Sequence, residues 1–404
     1  MRVHLVSEHA SPLAALGGVD AGGQNVHVAA LARALAAQGD TVVVHTRRDD
    51  PTLPRYVPLC PGVVVDHVDA GPAGPVPKDD LLPYMGSFAD VLLRRWRTQR
   101  PDVVHAHFWM SGLAAVNAAA PLRIPTMLTF HALGSEKQRH QGADDTSPAG
   151  RVDYEAWLAR NVNAVICTTA AEARAVVAMG ARESNVHVVP CGVDLDRFRT
   201  DGPRRPKPGG RPRVVCVSRL VPRKGIADLI VAVAGLPNVE LLIAGGPRRE
   251  LLAADAHARE LKALIERHGA SRRIRLLGGI ERERVPALMR SADVVACAPW
   301  YEPFGLTAVE GLACGVPVVA TAVGGLAETV VDGRTGLLVP PRDPLALRGA
   351  IECLLADSDR RRAMGAAGRR RAQWYGWDQV AARTHEIAAA TVVAREPASD
   401  RVFA

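Results

Sequence analysis

Three carboxylates stand alone in the most apolar stretch of the chain. Residues 300 to 330 read WYEPFGLTAVEGLACGVPVVATAVGGLAETV, and the only charges among them are Glu302, Glu310 and Glu328. Burying an unpaired carboxylate costs several kcal/mol. Glu310, set among Ala308, Val309, Leu312 and Ala313, therefore requires either a base from a distant part of the chain or the hydroxyls of a ligand. Glu302 lies on a loop just before a helix N-terminus. There the N–H groups of Phe304, Gly305 and Leu306 are donors without intrahelical acceptors, and the positive end of the helix dipole favours an anion such as phosphate.

Phosphate requires cations. SRLVPRKG (218 to 225) follows an apolar strand and places Arg219 and Lys224 at the start of the next helix. The chain uses 45 Arg against 5 Lys, so a Lys at 224 points to a compact point charge. VGGLAETV (323 to 330), LLIAGGP (241 to 247) and LGGVDAGGQN (16 to 25) are further strand-end glycine loops, where backbone can come close to a ligand. None is GxGxxG in register and no GxxxxGK[ST] occurs, which argues against hydride transfer and against a P-loop. Glycine loops, acids and a Lys–Arg pair describe a site for polyhydroxy and phosphate groups.

Such loops must be held by strands. β-branched runs recur with helical segments between them: RVHLVS, TVVVHT, GVVVDHV, DVVHAH, PTMLTF, NAVICT and VHVV, then RVVCVS, VELLIA, RIRLL, DVVACA, VPVVA and GLLV. Continuous rather than alternating apolar strands, interleaved with helices, indicate parallel sheets covered on both faces. At 404 residues the chain exceeds what one core usually holds. The expected fold is α/β, two Rossmann-like doubly wound domains facing a cleft, with residues 1–198 first, a Pro/Gly/Arg linker at 199–212, and residues 213–373 second. A last amphipathic helix at about 374–394 is expected to return to the first domain, with 395–404 frayed. Ligands of such sheets bind beyond the carboxyl ends of the strands.

With 48% hydrophobic and 23% charged residues, the composition is that of a soluble globular protein. Pro303, Pro317 and five glycines interrupt the one segment long enough to suggest a membrane helix. MRVHLVSEHASP is too short in its apolar part for a secretory signal, so a cytoplasmic location is expected. The seven cysteines form no CxxC pair and read as reduced core residues. The net charge of +8 comes from scattered Arg. Its two densities, 197–213 and 360–371, read as a solvated linker and a solvated helix face, which disfavours nucleic acid and leaves peripheral membrane contact as a weaker alternative.

Taken in order, RLVPRKG, EPFGLTAVE (an E-x7-E pattern), GGLAE and PCGVDLDRF (190 to 198) make the chain resemble the retaining Leloir glycosyltransferases of family 4, whose fold is the two-Rossmann GT-B arrangement. GGQNVHVAALARAL (22 to 35) and HAHFWMSG (105 to 112) narrow the resemblance to the sucrose-synthase, sucrose-phosphate-synthase and mycothiol-pathway branch. The resemblance implies a metal-independent hexosyl transfer, without a resident cofactor, from a nucleotide diphosphate sugar to a hydroxyl acceptor. UDP-sugar is favoured over GDP-sugar, and the acceptor class is a sugar or cyclitol phosphate. It implies that Arg219 and Lys224 clamp the diphosphate and that Glu310 takes the ribose hydroxyls. Glu302 with the Phe304, Gly305 and Leu306 amides would hold the transferred sugar, and His131 would stand at the reacting centre. Gly23 would face the diphosphate; Asn25, Lys78, His107, Phe108 and Arg151 would face the acceptor. Phe108 and Ala132 stand where the mycothiol branch has Tyr and Thr, which leaves sugar phosphates, secondary-metabolite hydroxyls and lipid-linked sugars open as acceptors. Base selection falls to backbone around Gly278 to Ile280.

Two features point elsewhere. Asp194-Leu195-Asp196 has the form of a metal-binding DxD but sits in the GVDLDRF turn. His105 and His107 alternate on a strand end with no third ligand evident, so no metal is expected. Alternatives for the chain as a whole are a GT-B epimerase or phosphorylase, or a non-catalytic basic protein. A monomer or homodimer is expected.

Overall fold

A computed structural model describes residues 1–14, 23–142 and 145–394. The chain forms two compact units. The first comprises residues 1–14, 23–190 and 378–394, the second residues 191–377.

The first unit holds an eight-stranded sheet ordered β3-β4-β2-β1-β5-β6-β7-β8. Its strands are β1 (Arg2–Val6), β2 (Thr41–Arg47), β3 (Tyr56–Cys60), β4 (Val63–Val68), β5 (Val103–His107), β6 (Thr126–Thr129), β7 (Ala164–Cys167) and β8 (Val186–Val188). Every pair is parallel except β3 with β4. All five residues of β5 are buried, because helices cover both faces and leave no side for polar alternation. Trp96, Trp109, Phe88 and Phe130 fill the core on one of these faces. The antiparallel β3 was not anticipated from the sequence. It carries Pro58, is mostly half-exposed and slips register against β4 between Pro58 and Cys60, which fits an edge strand where a missing N–H does no harm.

The second unit is a six-stranded parallel sheet ordered β11-β10-β9-β12-β13-β14. Its strands are β9 (Arg213–Val217), β10 (Glu240–Ala244), β11 (Ile274–Gly278), β12 (Val294–Cys297), β13 (Val318–Thr321) and β14 (Gly336–Val339). Chain order runs outward in one direction from β9 and in the other from β12. The topological switch point lies between these two strands, and their carboxyl-end loops flank it. The first unit has the equivalent reversal between β1 and β5.

The stretch 199–212, read from sequence as a solvated linker, lacks regular structure but is pinned to the second unit. Arg290 donates to the Pro203 carbonyl at 2.9 Å, and Lys207 pairs with Asp293 at 2.6 Å. The buried Arg213 guanidinium donates to the Pro206 carbonyl, to Ser291 Oγ and to Glu240. The Arg-rich helix Ser358–Ala372 is likewise more than a solvated face. Arg369 donates to the Ala313 and Phe198 carbonyls, and Arg371 to the Thr329 carbonyl at 2.8 Å. The Ala313 and Thr329 carbonyls end helices, where the dipole is negative, and these cations cap them. Part of the Arg excess is therefore structural.

The final helix, Trp377–Val393, belongs to the first unit from Asp378 onward. His385 Nδ1 lies 2.8 Å from Asp40 Oδ2, and Gln38 donates to the Asp378 carbonyl. Residues 395–404, expected to fray, lie outside the described residues, as do 16–22 of the LGGVDAGGQN loop. All seven cysteines are free and five are buried. Among the described residues no helix is long and apolar enough to cross a membrane.

Candidate functional site

In the second unit two loops meet at the switch point. After β9, the chain makes a 3-10 turn at Pro222–Lys224, passes through Gly225 and enters the helix Ile226–Ala234. After β12, the WYEPFG loop leads into the helix Leu306–Ala313. Lys224 Nζ and Glu302 Oε2 form an ion pair between them. Burial alone would raise the Glu302 carboxyl, but Lys224, with Arg223 and Arg219 beyond it, outweighs that and holds it below the ordinary carboxylate range. The second loop is stapled in place. Trp300 N–H donates to the Arg223 carbonyl at 2.8 Å, Trp300 Nε1 to Asp228 at 2.9 Å, and Thr321 Oγ1 to the Pro299 carbonyl at 2.6 Å.

Glycines let these loops close on one another. Gly225 has φ +60°, and a Cβ there would lie 1.9 Å from the Ala298 carbonyl oxygen. Gly324, in the GGLAE loop, would bring a Cβ within 2.1 Å of the Glu302 carbonyl oxygen, and Gly325 N–H donates to that same oxygen at 3.0 Å. The close approach is to the neighbouring loop's backbone, where the sequence reading expected a ligand. Gly225→Ala is expected to cost at least about 2 kcal/mol, since a left-handed Ala conformation is added to a clash with immobile backbone. A urea midpoint equal to that of the parent would contradict this.

Glu310 is 3% exposed in its side chain and pairs with Arg282, which is also stacked over the Phe198 ring at 5.0 Å. Burial still wins there, and the carboxyl stays above its ordinary range despite Arg282 and the more distant Arg197. In the fold each acid has a base remote in sequence, Lys224 for Glu302 and Arg282 for Glu310. Arg282 carried no recognisable signal, because it lies in a charged run (Glu281 to Arg284) that reads as surface. Among the described residues, the N–H groups of Phe304, Gly305 and Leu306 donate no hydrogen bond. Gly305, at φ +92°, is the N-cap. An anion-accepting helix start thus stands beside Lys224 and Glu302. The Gly278–Ile280 segment is fixed by backbone bonds, Gly279 N–H to the Pro247 carbonyl at 2.7 Å and Gly245 N–H to the Gly278 carbonyl at 2.9 Å. Asp194 lies in a turn, its Oδ1 accepting from the Arg197 N–H at 2.9 Å.

The first unit gathers imidazoles at the ends of β5 and β6. His107 Nδ1 lies 2.9 Å from His131 Nε2, and His27, on the helix Gly23–Ala37, packs edge-on to His131 with ring centroids 4.9 Å apart. Burial, then the neighbouring imidazoles, hold both His107 and His131 well below the ordinary histidine range, so the cluster is neutral at pH 7. The backbone here is unusual. His131 has φ +61°, and Phe108 has φ 84° with ψ 153°, a region nearly confined to glycine that costs about 1 to 3 kcal/mol. Phe108 is held there by its N–H donating to the Thr129 carbonyl at 2.8 Å and by the Arg151 guanidinium over its ring at 5.1 Å. Strain of this kind collects at functional sites.

The residues expected to face the acceptor, and Gly23, expected to face the diphosphate, are divided. Asn25 is buried and donates to the Ser11 carbonyl at 3.0 Å, while Gly23 opens its helix exposed. Arg151 is buried against Glu155 at 2.7 Å and donates to the Ala132 carbonyl and to Ser147 Oγ. Lys78 pairs with Asp79, which also faces Lys137 at 3.5 Å, and Lys137 reaches Ser147 Oγ at 2.9 Å. Lys137 and His27 were both missed by sequence reasoning. Lys137 lies in a polar helix, SEKQRHQ, whose pattern marks nothing. His27 stands one turn into a helix singled out for Gly23 and Asn25, so its position was visible while its partners were not.

Compared with known proteins, the chain is 37% identical over 402 residues to the D-inositol 3-phosphate glycosyltransferase of Xylanimonas cellulosilytica, covering 96% of each. The chain is a family 4 glycosyltransferase. Residues 21–197 match the Glycosyltransferase Family 4 model and 198–371 the model for Glycosyl transferases group 1. The D-inositol 3-phosphate glycosyltransferase of Streptomyces scabiei is 36% identical, over 96% of this glycosyltransferase and 90% of that protein. Among solved structures, sucrose-phosphate synthase from Thermosynechococcus elongatus has a TM-score of 0.90 at 31% identity, over 98% of this chain and 100% of that one. The two parallel-sheet units of this glycosyltransferase are those of the GT-B fold.

Proposed function

We propose that this glycosyltransferase moves a hexosyl unit from a nucleotide diphosphate sugar, UDP-linked by preference, to a hydroxyl of a sugar or cyclitol phosphate, with retention and without a metal. The observation that carries the reading is the Lys224–Glu302 pair beside the undonated amides of Phe304, Gly305 and Leu306. In the step, the bond from the anomeric carbon to the donor phosphate oxygen breaks. The bond to the acceptor oxygen forms on the same face, and the acceptor proton passes to the leaving phosphate. Arg219, Lys224 and the helix start stabilise the charge that grows on the diphosphate, an effect of the oxyanion-hole type. Glu302 orients sugar hydroxyls, and Glu310 holds the ribose. His131, being neutral, acts as a hydrogen-bonding group against the sugar and adds no charge to the diphosphate site.

The names of the relatives support a cyclitol phosphate as acceptor. In this chain Lys78, Lys137 and Arg151 converge on Asp79 and Ser147, which supplies cations for a phosphate monoester. Thermal denaturation with UDP, GDP, ADP and dTDP tests the donor reading. The preferred nucleotide, at 100 times its dissociation constant, is expected to stabilise by about 2.7 kcal/mol, with UDP giving the largest rise in Tm. No rise with any of the four would overturn the donor assignment.

A further inference from the structure

The first unit holds an arrangement that hexosyl transfer does not require. One ring nitrogen from each of His27, His107 and His131 lies within 4.8 Å of the others. The residues come from three separate elements, the helix Gly23–Ala37, the end of β5 and the turn after β6. Their rings face one another closely: His107 and His131 are stacked with centroids 5.2 Å apart, and His27 sits 5.5 Å from His107. His107 Nε2 is fully buried and, among the described residues, has no hydrogen-bond partner. His107 is 0% exposed, whereas His131 is partly open and provides a way in.

The geometry points to a binding site for a borderline-soft divalent cation, Zn²⁺ foremost, made by His27, His107 and His131. Three imidazoles without a carboxylate in the set suit Zn²⁺, Co²⁺, Ni²⁺ or Cu²⁺ and disfavour Mg²⁺ and Ca²⁺, which require oxygen ligands. Zn–N bonds of about 2.0 to 2.1 Å place tetrahedral ligand atoms about 3.3 Å apart, between the 2.9 Å of the His107–His131 pair and the 4.8 Å that bounds the set. Three ligands also leave a fourth position open. Neutral imidazoles bind through the nitrogen that carries no proton, so the hydrogen now shared between His107 and His131 moves to the other nitrogen of its own ring. No net proton leaves. The cation is not part of the transfer chemistry. By fixing His131 it blocks the reaction, a consequence that rests on the proposed role of His131, whereas the site itself does not.

Cobalt is the probe that separates the two. Co²⁺ titrated into the full chain, without donor or acceptor, is expected to give one equivalent of the intense visible absorption typical of tetrahedral cobalt. Equimolar Zn²⁺ should abolish it. His27→Phe should remove the absorption, His27→Gln should weaken it, and the exposed His268→Ala should leave it intact. Weak octahedral absorption in the unmutated protein, or a tetrahedral band that survives His27→Phe, would overturn the site. Because no turnover is measured, a wrong donor or acceptor assignment cannot produce either result. In a transfer assay, Zn²⁺ is expected to inhibit reversibly, with chelator restoring the rate in the parent and zinc having little effect on His27→Phe. Undiminished transfer by a zinc-loaded parent would overturn the blocking role.

Discussion

Lys224→Ala is expected to lower turnover about 10²- to 10³-fold, the scale of losing one preorganised charge contact to a developing oxyanion. The ammonium is anchored to Glu302 on a turn whose neighbours are fixed by backbone contacts, so its position is set before substrate arrives. Lys224→Arg keeps the charge but spreads it over a planar fork, and should recover only part of the rate. Steady-state kinetics on the folded variants, with the donor identified by thermal shift, decides the matter. An alanine variant with parental turnover ends the assignment. The pair also carries an acid-side dependence. Because the folded Glu302 carboxyl is depressed, its contribution to stability is present above the ordinary carboxyl range and is lost as pH falls through the depressed value. Lys224→Ala should flatten that part of the stability profile.

The second large effect concerns stability. Arg282→Ala leaves Glu310, 3% exposed, as an unpaired buried charge, and breaking such a pair costs about 3 to 5 kcal/mol. Glu310 already titrates above its ordinary range with Arg282 in place, so removing the arginine raises it further. A carboxyl raised in the folded state is protonated there while its unfolded counterpart is ionised. The variant should therefore lose stability as pH climbs from the ordinary carboxyl range toward the raised folded value, then level off. Urea unfolding from pH 4 to 8 reads this directly. Adding Glu310→Gln should restore much of the loss, a coupling that a double-mutant cycle isolates. A variant with parental stability at pH 7 would mean that Glu310 has another cation.

Much of this architecture was legible. Thirteen of the strands coincide with the apolar runs, since a strand buried on both faces must be continuously apolar and so announces itself. The edge strand Tyr56–Cys60 does not, because it is half-exposed and carries Pro58. The loops that carry Lys224, Glu302 and the Phe304–Leu306 turn were legible because these residues lie within short segments whose geometry follows from strand-loop-helix order. The partners of the acids were not. Arg282 is 28 residues from Glu310 and Lys224 is 78 from Glu302, and distances of that kind are closed only by sheet order.

The sequence by itself determined the fold class, the family and the candidate residues for phosphate and hydroxyl groups, because periodicity, loop glycines and residue chemistry are local properties of the chain. Tertiary structure alone decided which charges neutralise which, that the paired glycines bring loop against loop, and that His27 joins His107 and His131. Each of these depends on the strand orders of the two sheets, which bring together the loops after β9, β11, β12 and β13 and set β5 beside β6, an arrangement that long-range packing fixes and no single segment encodes.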